Sequence, residues 1–247
     1  MTESNPPSAL QILPWPAMVA AVKRSADYGT FEAFYASLTD SLPQNSPLTR
    51  VRLTSIIIRN YFPGRTLDSL ATRVWRAYGR DDLLTDIMRV MSLEAEPVTA
   101  RFVVEQLLVL PPGATFDTGR ARDYIGATYR RFCRDSYRRL LARARYLGLL
   151  TRRGKELLVA AVPRPADAFL ILLHARLAPT PRIVRVSDIL SAPFWQYLGM
   201  RSPEEVRSIL RDADAAGIVA RYAIVDELEQ VTTRYPFEEY LSRRVAL

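Results

Sequence analysis

Only one cysteine, Cys133, and one histidine, His174, occur in 247 residues, and their scarcity removes several chemistries at once. No intramolecular disulfide can form, and one thiol beside one imidazole cannot complete a zinc site of Cys and His ligands. Such sparing use of cysteine fits a reducing, cytoplasmic compartment. Long apolar runs are missing too. The most apolar stretches, Leu157 to Val162 and Phe169 to Leu173, are separated by Pro163, Arg164, Pro165 and Asp167, and neither approaches the roughly 20 residues that a membrane-spanning helix needs. Pro6, Pro7, Pro14 and Pro16 break up the N-terminus where a leader would carry its apolar core, so the chain is expected to begin near Met1.

Lysine is nearly absent as well. Lys23 and Lys155 are the only lysines among 34 basic residues, so the other 32 are arginines. Their distribution says more than their number. Between Arg120 and Lys155 eleven arginines and one lysine face two acids, Asp123 and Asp135, a local excess of +10 in a chain of net charge +8. The remainder of the chain is therefore slightly acidic, and the basicity belongs to one segment, as in the electrostatic footprint of a polyanion-binding protein.

Catalytic signatures are lacking. The chain has no phosphate-binding glycine loop, no nucleophile elbow and no His/Cys cluster. His174 lies in the apolar run Phe169 to Leu177, where packing explains it better than proton transfer. Acids such as Asp226, Glu227 and Glu229 have no lysine near them. No enzyme activity, cofactor or metal is expected.

What is present is helical punctuation. Residues 1–14 are polar, Pro-rich and without periodicity, a tail that could dock through Leu10, Ile12, Leu13 and Trp15. From residue 15 to 112 breaks at Gly29, Leu42 to Pro47, Pro63-Gly64, Gly79 and Pro111-Pro112-Gly113 mark off five or six helices. One runs from Pro47 to Phe62 with Leu48, Val51, Ser55, Ile58 and Phe62 on its inner face. A second spans Thr66 to Tyr78, with Leu67, Leu70, Val74 and Trp75 inward. A third starts at Glu96-Pro97 and reaches Leu110.

Residues 113–178 read as a basic winged-helix-like unit. A helix from Thr118 to Phe132 precedes one from an N-cap at Asp135 to Leu147, with Gly148 as its stop. Leu149-Leu150-Thr151, a turn at Arg152-Arg153-Gly154-Lys155 and the run Leu157 to Val162 then form a hairpin. Helical spacing puts Ile125, Tyr129, Phe132, Ser136, Leu140 and Leu147 on one side and Arg120, Arg131, Arg134, Arg138 and Arg145 on a distant arc. The second helix would lie in or beside the major groove, Tyr137 would hydrogen-bond phosphate, and Arg152, Arg153 and Lys155 would reach a neighbouring phosphate or minor groove. Arginine suits the task because its planar fork makes bidentate bonds to phosphate and guanine. The competing reading has these arginines solvating an exposed face or pairing with Asp81, Asp82, Glu94 and Glu96.

A related order returns in residues 179–247. Ser187 to Leu190 begins a short helix, Ser202-Pro203-Glu204-Glu205 is a capping box, and the runs Ile218 to Val225 and Leu228 to Thr233 make a hairpin through Asp226-Glu227. Nine acids face six arginines between Ser202 and Arg244, a poor DNA surface. Its hairpin and the aromatics Phe194, Trp195 and Tyr197 suit docking or core packing, the latter favoured for the aromatics. The expected fold is mainly α: a helical N-terminal bundle followed by two winged-helix-like units with short β-hairpins.

Three segments carry a family resemblance: Thr49 to Phe62; Leu83 to Leu110, with Arg89-Val-Met-Ser-Leu-Glu94 and Phe102-Val-Val-Glu105; and Asp135 to Val162, where Ser136-Tyr-Arg-Arg-Leu-Leu141 leads into Tyr146-Leu-Gly-Leu-Leu150. Over roughly residues 45–175 the chain resembles the BrxA family, small DNA-binding accessory proteins of bacterial BREX phage-defence systems. The resemblance implies a two-lobed helical protein that binds duplex DNA without catalysis, beside a methyltransferase, an ATPase and a phosphatase-like partner. The Pro-rich start and the extra unit after about Pro179 depart from it, and no individual binding residue is transferred.

The function expected is thus a non-catalytic, double-stranded DNA-binding subunit of a larger defence or regulatory complex, without membrane contact. A stand-alone winged-helix transcriptional regulator, and an adaptor using the arginine face on an acidic protein, are the alternatives.

Overall fold

A computed structural model describes residues 15–129, 134–226 and 228–247, apart from the side chains of Arg134 and Val225. The tail at 1–14, with Leu10, Ile12 and Leu13, lies outside the described residues, as do Arg131 and Phe132. The chain is mainly helical, with thirteen α-helices and two small antiparallel sheets among the described residues.

The N-terminal bundle comprises α1 (Trp15–Ser25), α2 (Phe31–Ser41), α3 (Pro47–Tyr61), α4 (Leu70–Tyr78) and α5 (Asp81–Glu94). Side-chain caps set several starts: Thr30, Ser46 and Ser69 each accept a hydrogen bond from a first-turn amide. The Ser69 cap places the start of α4 at Leu70 rather than Thr66, and Gly79 closes it with φ +62°. Helix α5 is the axis, with every residue from Ile87 to Leu93 buried, so it is enclosed all round rather than amphipathic. The inner face expected of α3 is corrected in its first half: Leu48 is 80% exposed and Val51 43%, because the core touches α3 only from Leu53 onward, through Leu53, Ile56, Ile57 and Tyr61.

Beyond α5 the chain builds the same unit twice. The first opens with α6 (Pro97–Phe102), which continues as a π-helical turn over Val103–Leu107 instead of running as regular helix to Leu110. Residues 113–116 then pair with β2 (Glu156–Val159), through Gly113 N to Val159 O at 2.8 Å and Phe116 N to Leu157 O at 2.7 Å. Helices α7 (Thr118–Tyr129) and α8 (Arg134–Tyr146) follow, then β1 (Leu150–Arg153), antiparallel to β2. The second unit runs α9 (Ala166–Leu177), β3 (Ile183–Arg185), α10 (Val186–Ser191), α11 (Phe194–Tyr197), α12 (Pro203–Ala215), β4 (Val219–Val225) and β5 (Leu228–Thr233), and α13 (Phe237–Ser242) ends the chain. Its sheet order is β3-β5-β4, matching 113–116, β2, β1 in the first unit. Helix, strand, helices and a two-stranded wing is a winged-helix-like order, present in tandem, with two helices between strand and wing in the first unit and three in the second.

The two units are cored differently. The first has its own core, in which Phe102, Val103, Leu107, Phe116, Ile125, Leu140, Leu147 and Val159 meet. Phe169, Leu172, Ile209, Val231 and Tyr240 of the second unit and its C-terminal helix instead merge with the core of α1 to α5. Phe194 and Trp195 are core residues, Phe194 stacking on Phe169 at 5.5 Å. His174 is 2% exposed, with Nδ1 2.8 Å from the Leu170 carbonyl, and is packed on Tyr240. Burial holds its pKa below the usual 6.5.

Candidate nucleic-acid interface

Helix α8 is positioned from both ends. At its C-terminus Gly148 turns the chain with φ +72°, and Leu149 N bonds Ala144 O at 2.9 Å, so the wing starts within a few residues of the helix. Asp135, expected as the N-cap, lies within the first turn of α8. Its inward side is as periodicity indicates: Ser136, Leu140, Leu141, Ala144 and Leu147 are buried, and Ile125 of α7 lies in the same core. What remains outward on α8 is chiefly arginine and tyrosine.

Arg138 and Arg145 are exposed, and no described carboxylate pairs with either. Tyr137 lies between them and α7: the Arg122 guanidinium is 5.8 Å from its ring centroid. A hydrogen bond from Arg138, aided by Arg122, draws its phenol below the usual value of 10.0. Tyr146, 40% exposed, adds an aromatic edge beside Arg145. At the wing tip β1 and β2 turn through Gly154, with φ +59°, while Arg153 pairs with Glu156 in register. Arg152 Nε bonds the Gly154 carbonyl at 3.0 Å, and Arg152, Arg153 and Lys155 are all exposed.

Three residues of the expected set are not on this surface as described. Arg120 is half-buried on α7, its Nε 3.3 Å from Gln106 Oε1 of the π turn, in a cavity of about 550 Å³ that it shares with Arg101, Glu105 and Asp123. Arg131 and the side chain of Arg134 lie outside the described residues.

The pairing alternative holds for Arg143 of this segment. Glu96, 8% exposed, accepts a hydrogen bond from Arg59 Nη2 of α3 at 2.6 Å and forms an ion pair with Arg143 Nη1 of α8 at 3.4 Å. Asp81, Asp82 and Glu94 pair instead with Lys23, Arg80 and Arg176. Arg143 thus anchors α8 to the body, which charge counting could not reveal. The one available signal was its inward register, three residues after Leu140 and four before Leu147.

The equivalent elements of the second unit are chemically opposite. Helix α12 begins with Glu204 and Glu205. The Glu205 carboxylate accepts from Ser202 N at 3.0 Å, completing the expected capping box. Glu204 pairs with Arg211 at 2.6 Å, Glu229 of β5 with Arg207 at 2.9 Å, and Asp212 with Arg164. The hydrogen bond from Arg211 keeps the Glu204 carboxyl below its usual range. This helix spends its charge on internal pairs.

A helix bearing unpaired cations next to a basic hairpin can lie along a duplex groove while the hairpin reaches the adjoining backbone. No helix among the described residues is long and apolar enough to cross a membrane. No protein-family model, curated protein or solved structure matches the chain.

Proposed function

We propose that this protein is a non-catalytic, double-stranded DNA-binding accessory subunit of a larger bacterial assembly, in phage defence of the BREX type. The observation that carries the reading is the contrast between two units of one topology. In the first, the wing-adjacent helix and wing tip present Arg138, Arg145, Arg152, Arg153 and Lys155 without ion-pair partners among the described carboxylates; in the second, the corresponding helix is self-neutralised. Free arginine on the groove-facing element is what phosphate contact requires, whereas solvation alone would not concentrate it on one copy. The assembly role and the absence of catalysis rest on the family resemblance, on the missing motifs, and on a second unit fused into the helical body rather than left free. Replacing Arg134, Arg138, Arg145, Arg152 and Arg153 with alanine is expected to abolish duplex binding with an unchanged melting temperature. Undiminished affinity in that variant would overturn the reading.

A further inference from the structure

The acidity of the second unit conceals a basic face. Its sheet buries one side: Val219, Val231 and Thr233 are at most 2% exposed. Directly paired residues on antiparallel strands share a face, and neighbours along a strand alternate. Ile183 opposite Thr232 opposite Arg221, and Arg185 opposite Gln230 opposite Ala223, therefore make up the other side. Arg185 and Arg221 are exposed, and neither pairs with a described carboxylate. Most of the unit's acids are engaged away from this face: Glu204, Glu229, Asp212, Glu238 and Glu239 with arginines, Glu205 in the helix cap, and Asp214 in accepting Tyr222 N at 3.0 Å, while Asp226 stands exposed in the β4-β5 turn at the end of the sheet.

We propose that the outer face of the β3-β5-β4 sheet is a second contact for the duplex backbone, with Arg185 and Arg221 on phosphate oxygens and Gln230 and Thr232 as hydrogen-bonding groups between them. It rests on the duplex-binding reading above and makes the protein bivalent for DNA. The chemistry of the face selects this ligand. It carries no aromatic ring on which an unpaired base could stack, since Tyr222 faces the core with Val231. A protein partner would want a buried aromatic or aliphatic anchor; the large apolar side chains described on this face, Ile183 on the edge strand, 69% exposed, and half-buried Leu228 beside the hairpin turn, stand at its margins rather than between Arg185 and Arg221.

The test uses the full chain and a labelled 30-base-pair duplex, with affinity measured across a salt series for the wild type, for Arg185→Gln with Arg221→Gln, and for Arg138→Ala with Arg145→Ala. Each lost phosphate contact lowers the slope of log affinity against log salt by about one, so the sheet variant is expected to lose about two and the combined variant about four. Glutamine keeps a polar strand residue, and an unchanged melting temperature establishes that the sheet is intact. Wild-type slope and affinity in the sheet variant overturn this inference alone, and reassign the face to an acidic protein if a partner is lost on co-purification. Absence of duplex binding by the wild type overturns both this inference and the reading beneath it.

Discussion

Arg89 Nε donates a 2.7 Å hydrogen bond to the main-chain carbonyl of Leu147, the residue that follows the basic helix α8. The same guanidinium reaches Leu198 O at 3.3 Å and pairs with Asp86 at 2.9 Å, while only 5% exposed. One buried side chain of α5 thus ties together the helical body, the end of α8 and the second unit. Desolvation pushes the Arg89 pKa down and that of Asp86 up, so the pair persists through mutual contact and the two carbonyls rather than through charge alone.

Removing one member of such a pair strands the other. Arg89→Met is expected to destabilise the fold by about 3 to 5 kcal/mol, measured by urea unfolding. Arg89→Met with Asp86→Leu should recover much of that loss. A single variant as stable as wild type would show that the node does not hold the units together.

Gly199 makes a second joint. Its φ is +94°, and a Cβ there would stand 2.8 Å from Val162 Cγ2, just beyond the wing. Gly199→Ala is expected to destabilise by about 1 to 3 kcal/mol, with strain added to overpacking. Val162→Ala in the same chain should recover only part of the loss, because Val162 Cβ itself stands 2.9 Å from the added methyl and the backbone strain remains. Equal midpoints for Gly199→Ala and wild type in urea would contradict this.

The single histidine gives a defined pH dependence. Burial depresses the His174 pKa from 6.5 in the native state, so below about 6.5 the unfolded chain binds a proton that the folded chain does not. Its contribution is fully present above that value and is lost as pH falls, with a limiting slope of about 1.4 kcal/mol per pH unit. The stability gap between wild type and His174→Gln should narrow from pH 7.5 to 5.5. A gap constant over that range would place a charged imidazole in the core.

Much of α8 and the wing is legible in the sequence because the signals are local. Ser136, Leu140 and Leu147 repeat at helical spacing, and Gly148 and Gly154 occupy positive-φ positions. Strand β3 has no such signal: three residues, Ile183 to Arg185, become a strand only by pairing with Thr232, Val231 and Gln230 nearly fifty positions later. The face of α3 misleads for a related reason. Leu48 and Val51 continue an apolar repeat past the point where any neighbour covers it. Within the candidate site, exposed arginines follow from periodicity, but the division between contact and anchor does not. Arg143 looks like its neighbours until Glu96 is brought beneath it by α6. Arg89, an arginine inside Ile87-Met88-Arg89-Val90-Met91, breaks the apolar run visibly, yet its carbonyl partners come from distant turns.

The most direct test of the central claim is a salt titration of wild-type binding to labelled duplex DNA, single-stranded DNA and duplex RNA of equal length. Six contacts of the first unit, from Arg134, Arg138, Arg145, Arg152, Arg153 and Lys155, predict that log affinity for duplex DNA falls with log salt at a slope of roughly −5, steepened to roughly −7 by the two sheet contacts, with weaker binding to the other two. Salt-independent binding to all three, or none at all, would contradict the account.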